Sequence, residues 1–192
     1  MSYATYITEA MVCGTQNRNT ADRSYLLFTK EAGMLFAEAR SVREERSRQR
    51  YALQDFSRIR VSLVKGKQSW KIGSVEAVAN DFSNATSREA RGSVVAFYRL
   101  LRRFIRGEEA SPGLFDFCQQ ALNILVLPST NRLFLESCIQ VRLLSALGYV
   151  DNKAVPKVIR DCELEEVVSN YSENLQAQMS ILYDQAILHS QL

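Results

Sequence analysis

Arginine at positions 40, 43, 46, 48 and 50 places five guanidinium groups within eleven residues. The surrounding stretch 39–63, ARSVREERSRQRYALQDFSRIRVSL, holds seven arginines and no lysine. A guanidinium stays charged at any physiological pH, pairs with phosphate through two parallel N–H bonds and stacks flat on aromatic rings. The cations continue beyond the run at Arg58, Arg60, Lys65, Lys67 and Lys71. Tyr51 is the aromatic best placed to stack a base, an interaction worth roughly 1–3 kcal/mol. Phe56 and Trp70 are expected in the core. The chemistry this combination points to is retention of a polyanion. A charge run is ordinarily just a solvated face, and Glu44 and Glu45 sit where they could pair with neighbouring arginines.

Catalytic constellations find little support. His189 is the single histidine, which leaves no histidine-based acid–base pair or triad. No GxxxxGK[ST] or GxGxxG loop is present to hold a nucleotide. Glu163, Glu165 and Glu166 crowd the start of an expected helix, where they suit its dipole. The four cysteines, Cys13, Cys118, Cys138 and Cys162, are far apart, which fits free thiols in a reducing compartment. No catalytic residue, metal or cofactor is expected.

The formal charge of +3 conceals an asymmetry. Residues 1–107 carry 19 Lys+Arg against 10 Asp+Glu, and residues 108–192 carry 5 against 11. A basic half beside an acidic half directs a polyanion partner to the first. At 46% hydrophobic and 23% charged residues the composition is that of a globular protein. No apolar run reaches the roughly 20 residues of a membrane-spanning helix, and the start lacks the pattern of a signal peptide. A cytoplasmic, nucleoid-associated protein is expected, with no membrane partner.

The elements that must position these side chains change character near residue 80. Before it the period is two. YITEAMVC (6–13), RSYLLFTK (23–30), GMLFAEARS (33–41), SRIRVSLV (57–64) and SWKIGSVEA (69–77) predict five short strands, with GTQNRNTAD (14–22), EAG (31–33) and KGKQ (65–68) as turns. In SRIRVSLV, Ile59, Val61 and Leu63 alternate with Arg58, Arg60 and Ser62, so one face is buried and one solvated. Five strands in this length match an OB-type barrel, a fold whose loops and one face bind single strands. After residue 80 a polar connector, 81–92, leads into a helix with Val94, Phe97, Tyr98, Leu101, Phe104 and Ile105 on one face. Arg99, Arg102, Arg103 and Arg106 lie opposite, a solvated stripe or an extension of a phosphate track. Further helices are expected from Leu114 to Leu125, over about 131–147 ending at Gly148, and over about 163–188. The fold class is α+β: an OB barrel over 1–79, then a helical domain of about four helices over 80–192.

The order of segments resembles the RecO family. TEAMV (8–12), ADRSYLLFTKEAGML (21–35), the basic EARSVREERSRQRYALQDFSRIRVSL and SVEA (74–77) follow its barrel, and SPGLFDFCQQAL (111–122) and VRLLSALGYV (141–150) match helical landmarks. The likeness runs from about 5 to 150. Asp55 replaces a usual proline, and Tyr51 stands near a usual glycine. After LGY the family commonly inserts a segment, often a cysteine zinc site, whereas DNKAVPKVIRDCELEE here leads directly to the last helix. No zinc is expected, since Cys162 alone cannot build such a site. The resemblance implies a non-enzymatic recombination mediator that binds single- and double-stranded DNA and anneals strands. It further implies partnership with RecR and with the acidic C-terminal tail of single-stranded-DNA-binding protein, to help load RecA. Arg142, alone in an apolar helix, and Arg132 are candidates to receive such a tail; Arg142 would otherwise reach solvent or pair with Glu136. Two other classes fit the residues: an OB-fold RNA-binding factor, and an adaptor gripping acidic peptides.

Overall fold

The computed structural model describes residues 5–67 and 69–190; Gln68 of the expected KGKQ turn lies outside them. Five strands, β1 (Thr5–Asn17), β2 (Arg23–Thr29), β3 (Gly33–Ala39), β4 (Ser57–Lys65) and β5 (Trp70–Asn80), close into a barrel in the order β1-β2-β3-β5-β4. All neighbours are antiparallel except β3 and β5, whose short parallel pairing of Ala37 with Trp70 and Glu38 with Lys71 closes it. This five-stranded Greek-key barrel is the OB-fold, and helices follow it, so the chain is α+β.

The alternation read from β4 is realised. Ile59, Val61 and Leu63 point inward with Val12, Tyr25, Leu27, Leu35 and Trp70. Each such apolar side chain removed from water stabilises the fold by about 1.5–3 kcal/mol. β1 is longer than the expected 6–13. A register shift between Val12 and Gly14 bends it around the barrel and lets it run on to Asn17. A one-turn helix, α1 (Gln49–Ala52), too short to leave a periodic signal, lies between β3 and β4.

The described residues up to Asn84 form one compact unit together with Ile105–Phe115, a segment the sequence reading placed among the helices. That segment lies on the β2–β3 hairpin: Gly107 O accepts from Met34 N at 2.9 Å, and the Phe115 and Phe28 rings are 5.4 Å apart. Gly33, with φ of +65°, sits under it, and a Cβ there would lie 2.4 Å from Glu109 O. Glycine is required on both conformational and steric grounds.

The second unit comprises Ala85–Phe104 and the described residues from Asp116 onward. Its helices are α3 (Arg88–Phe104), most of α4 (Pro112–Leu125), α5 (Arg132–Ala146), α6 (Lys157–Arg160) and α7 (Glu173–His189). The face expected on α3 is buried at Val94, Phe97, Tyr98, Leu101 and Phe104; α4 buries Cys118, Ala121, Leu122 and Leu125, and α5 buries Phe134, Leu135, Cys138 and Ile139. The connector expected over 81–92 is itself mostly helical, a short α2 (Asp81–Asn84) and then α3, whose Ala90 N is received by Ser87 Oγ at 3.1 Å. The single helix expected over 163–188 is divided. Leu164–Asn170 is 3₁₀, and the extended Ser172 caps α7 by accepting from Leu175 N at 3.2 Å. A serine side chain competing for backbone N–H groups starts a helix better than it continues one. None of the four cysteines forms a disulfide, and burial pushes the Cys138 thiol up to about 12, which keeps it unreactive.

Candidate nucleic-acid interface

The arginine run follows β3 and is docked, not loose. Val42, 1% exposed, anchors it in the barrel core. Asp22 Oδ1 accepts from Ser41 N at 2.8 Å, Ala21 O from Arg43 N at 3.0 Å, and Asn19 O from the Arg43 guanidinium at 2.8 Å. The Asn19 side chain, the Ser41 amide and the nearby Arg40 charge hold the Asp22 carboxyl below its usual range, so the bond to the loop comes from a carboxylate. At its far end Gln49 Nε2 donates to Gly73 O of β5 at 2.6 Å. The loop is thereby fixed to the β1–β2 hairpin on one side and to β5 on the other.

Arg40, Arg43, Arg46 and Arg48 remain exposed, and Arg50 is half-buried against Tyr51. Among the described residues, Glu44 and Glu45 form no ion pair with them. A desolvated, neutralised cluster would face inward or pair with these carboxylates; this one faces water, and neither Glu44 nor Glu45 cancels its charge. Two further arginines join it. Register pairs Arg23 of β2 with Ala39, the residue before Arg40, and Arg18 of the β1–β2 hairpin lies 3.7 Å from Glu38. They were missed in the sequence because only the register places them beside the run.

The other basic positions divide. Arg58 was expected on the solvated face. It is instead engaged inside the protein, with its guanidinium 2.9 Å from Asp81, whose side chain is fully buried. Arg60 is exposed but stands in register between Glu9 on β1 and Glu76 on β5, so its field is locally offset. Lys65 lies 3.4 Å from Glu108 and 4.9 Å over the Trp70 ring. Lys67, in the β4–β5 turn, and Lys71, paired with Glu38 across β3–β5, are exposed. Lys71 thus borders the strand that leads into the arginine run.

Of the aromatics, Tyr51 is 63% exposed and Trp70 is buried, as expected, while Phe56 is half-buried and stacks on Phe82 at 5.6 Å. Phe36 was overlooked. It is 56% exposed beside Leu26 in the β2–β3 ladder, the face on which OB barrels stack bases. Its place inside an apolar strand concealed it among core candidates.

In the helical unit Arg99 and Arg102 are exposed, whereas Arg103 donates to Ser190 Oγ at 3.1 Å. Arg106 belongs to the barrel unit, so the stripe of four is not one face of one unit. Helical spacing sets Arg88 and Arg91 on the same face as Arg99 and Arg102. Arg132 and Arg142, the candidates for an acidic tail, are taken by the chain's own backbone. Arg132 donates to Leu125 O at 3.0 Å, to Leu127 O and to Ser93 Oγ, which closes the C-terminal end of α4. Arg142, half-buried, donates to Cys162 O at 2.8 Å and lies 5.5 Å over the Phe117 ring, and it is not paired with Glu136. Glu136 accepts from Ser93 Oγ instead.

With this geometry in view, comparison with known proteins adds two findings. Residues 1–81 match the family described as Recombination protein O N terminal. That match spans all five strands of the barrel. The chain is also 29% identical over 120 residues to the DNA repair protein RecO of Desulforudis audaxviator (strain MP104C). That match covers 62% of this chain and 48% of the relative, so the chain spans about half of the relative's length. The matched region carries the arginine run, the exposed Tyr51 and the β2–β3 face, and no helix of the described residues is long and apolar enough to cross a membrane.

Proposed function

We propose that the chain is a non-enzymatic DNA-binding mediator of recombinational repair, whose arginine-lined barrel end holds DNA without reading its sequence. The observation that carries this reading is the docked loop, with its exposed guanidinium groups left uncancelled by Glu44 and Glu45 on an OB barrel. Such a surface binds chiefly by releasing counterions from the phosphate backbone and tolerates any base order. Arg40, Arg43, Arg46, Arg48 and Arg50 hold the phosphates, with Lys67 and Lys71 extending the track and Tyr51 offering a stacking surface. Arg99 and Arg102 offer a second basic surface on the helical unit.

The RecO relationship supports the finer role. In this reading the chain binds single- and double-stranded DNA, anneals complementary strands, and acts with RecR and the tail of single-stranded-DNA-binding protein to help RecA load. The internal bonds of Arg132 and Arg142 turn the search for a tail receptor away from those two residues.

The test is a titration of the protein against single-stranded DNA, duplex DNA and RNA at two salt concentrations. The expected result is binding of both DNA forms that weakens steeply with salt. Preferential binding of RNA, or tight binding of an acidic peptide with none of DNA, would replace this reading.

A further inference from the structure

Between the loop and the β1–β2 hairpin lies a cavity of about 370 Å³, within the roughly 300–1,000 Å³ span of small-ligand sites. Leu53, 1% exposed, contributes an apolar wall. Arg23 and Arg50 supply cations, and Gln54 and Asp55 supply polar groups, one of them a carboxylate. Tyr51 forms the remaining wall. The Arg50 guanidinium lies 4.8 Å over its ring and donates to its hydroxyl at 2.7 Å, so one ring face is covered and the ring is held in place. The ring nevertheless remains 63% exposed.

A site for a bare anion would not include the Asp55 carboxylate, and a site for an apolar side chain would not need two arginines. One molecule combines an anion, a flat π-surface and an edge of N–H donors: a nucleotide. We propose that this pocket receives a single unstacked nucleotide of single-stranded DNA. Its base lies against Tyr51 and turns its N–H donors toward Asp55 and Gln54, and its phosphate lies between Arg23 and Arg50. The inference rests on the DNA-binding reading above and deepens it. A base within a duplex is stacked on both sides and has its hydrogen-bonding edge occupied, so it cannot enter. The pocket thus separates strands from duplexes, which the surface arginines do not.

The experiment is fluorescence anisotropy with the full chain, a labelled single strand of mixed sequence and the duplex made from it. Tyr51→Ala is expected to weaken single-strand binding about tenfold, the worth of one stacked base, and to leave duplex binding within about twofold. Tyr51→Phe, which keeps the ring, should bind the strand as the parent does. Unchanged strand binding in Tyr51→Ala, or equal weakening for strand and duplex, overturns the proposal. An Arg46→Ala/Arg48→Ala variant in the same assay separates the two layers. If it weakens both DNA forms while Tyr51→Ala is silent, the pocket is wrong and the loop reading stands; if neither variant changes binding, both fall.

Discussion

Replacing Arg40, Arg43, Arg46, Arg48 and Arg50 together by alanine is expected to flatten the salt dependence of DNA binding while the barrel stays folded. Each phosphate left without its guanidinium lowers the slope of log affinity against log salt by about 0.7 for a single strand, so by about 3.5 if all five arginines bind phosphate. Between roughly 50 and roughly 200 mM salt, the affinity of the parent protein then falls by about a hundredfold more than that of the variant. Folding survives because the loop is anchored through Val42, the Ser41 and Arg43 amides and Gln49, none of which depends on a deleted side chain. Apart from these anchors, the loop loses the Arg43 guanidinium bond to Asn19 O. A folded variant with parental affinity and slope would move the site elsewhere.

Arg58→Ala is expected to act in the opposite way, on the fold and not on DNA. It removes the guanidinium that lies 2.9 Å from the fully buried Asp81 carboxylate, and Arg58 itself is only 15% exposed. Removing one partner of a buried pair costs about 3–5 kcal/mol because a charge stays behind in a poor solvent for it. Urea unfolding should show a loss of that order. Replacing both residues with apolar ones of similar volume should recover most of it, since the desolvation cost then disappears with the charges. A single variant of parental stability would show that the pair carries no net weight.

The arginine run and Arg58 mark how far the sequence could be read. The barrel was legible because Ile59, Val61 and Leu63 alternate with polar neighbours, a pattern set by the strand period alone. The same alternation correctly turns Arg58 away from the barrel interior, yet it cannot announce that Asp81, 23 residues later, covers the outer face there. The arginine run was legible as a cluster, but its enlargement by Arg18 and Arg23 depends on hairpin register, which is a tertiary property. Phe36 shows the reverse case: an apolar residue in an apolar strand, exposed because its face of the sheet is bare there. Arg142 stood out as a cation in an apolar helix, while its acceptor, Cys162 O, lies in a separate segment that no local pattern connects to it. The break at Ser172 needed the weighing of one capping bond against helix continuation.

The central claim is that DNA lies on the docked loop and the adjoining β1–β2 hairpin. The most direct measurement is backbone amide hydrogen exchange, followed along the chain with and without a saturating single-stranded oligonucleotide. The expected result is slowed exchange over 18–23 and 40–52 when DNA is bound, with the α5 and α7 helices unchanged. Protection confined to the helical unit, with the loop and hairpin exchanging as in the free protein, would contradict it.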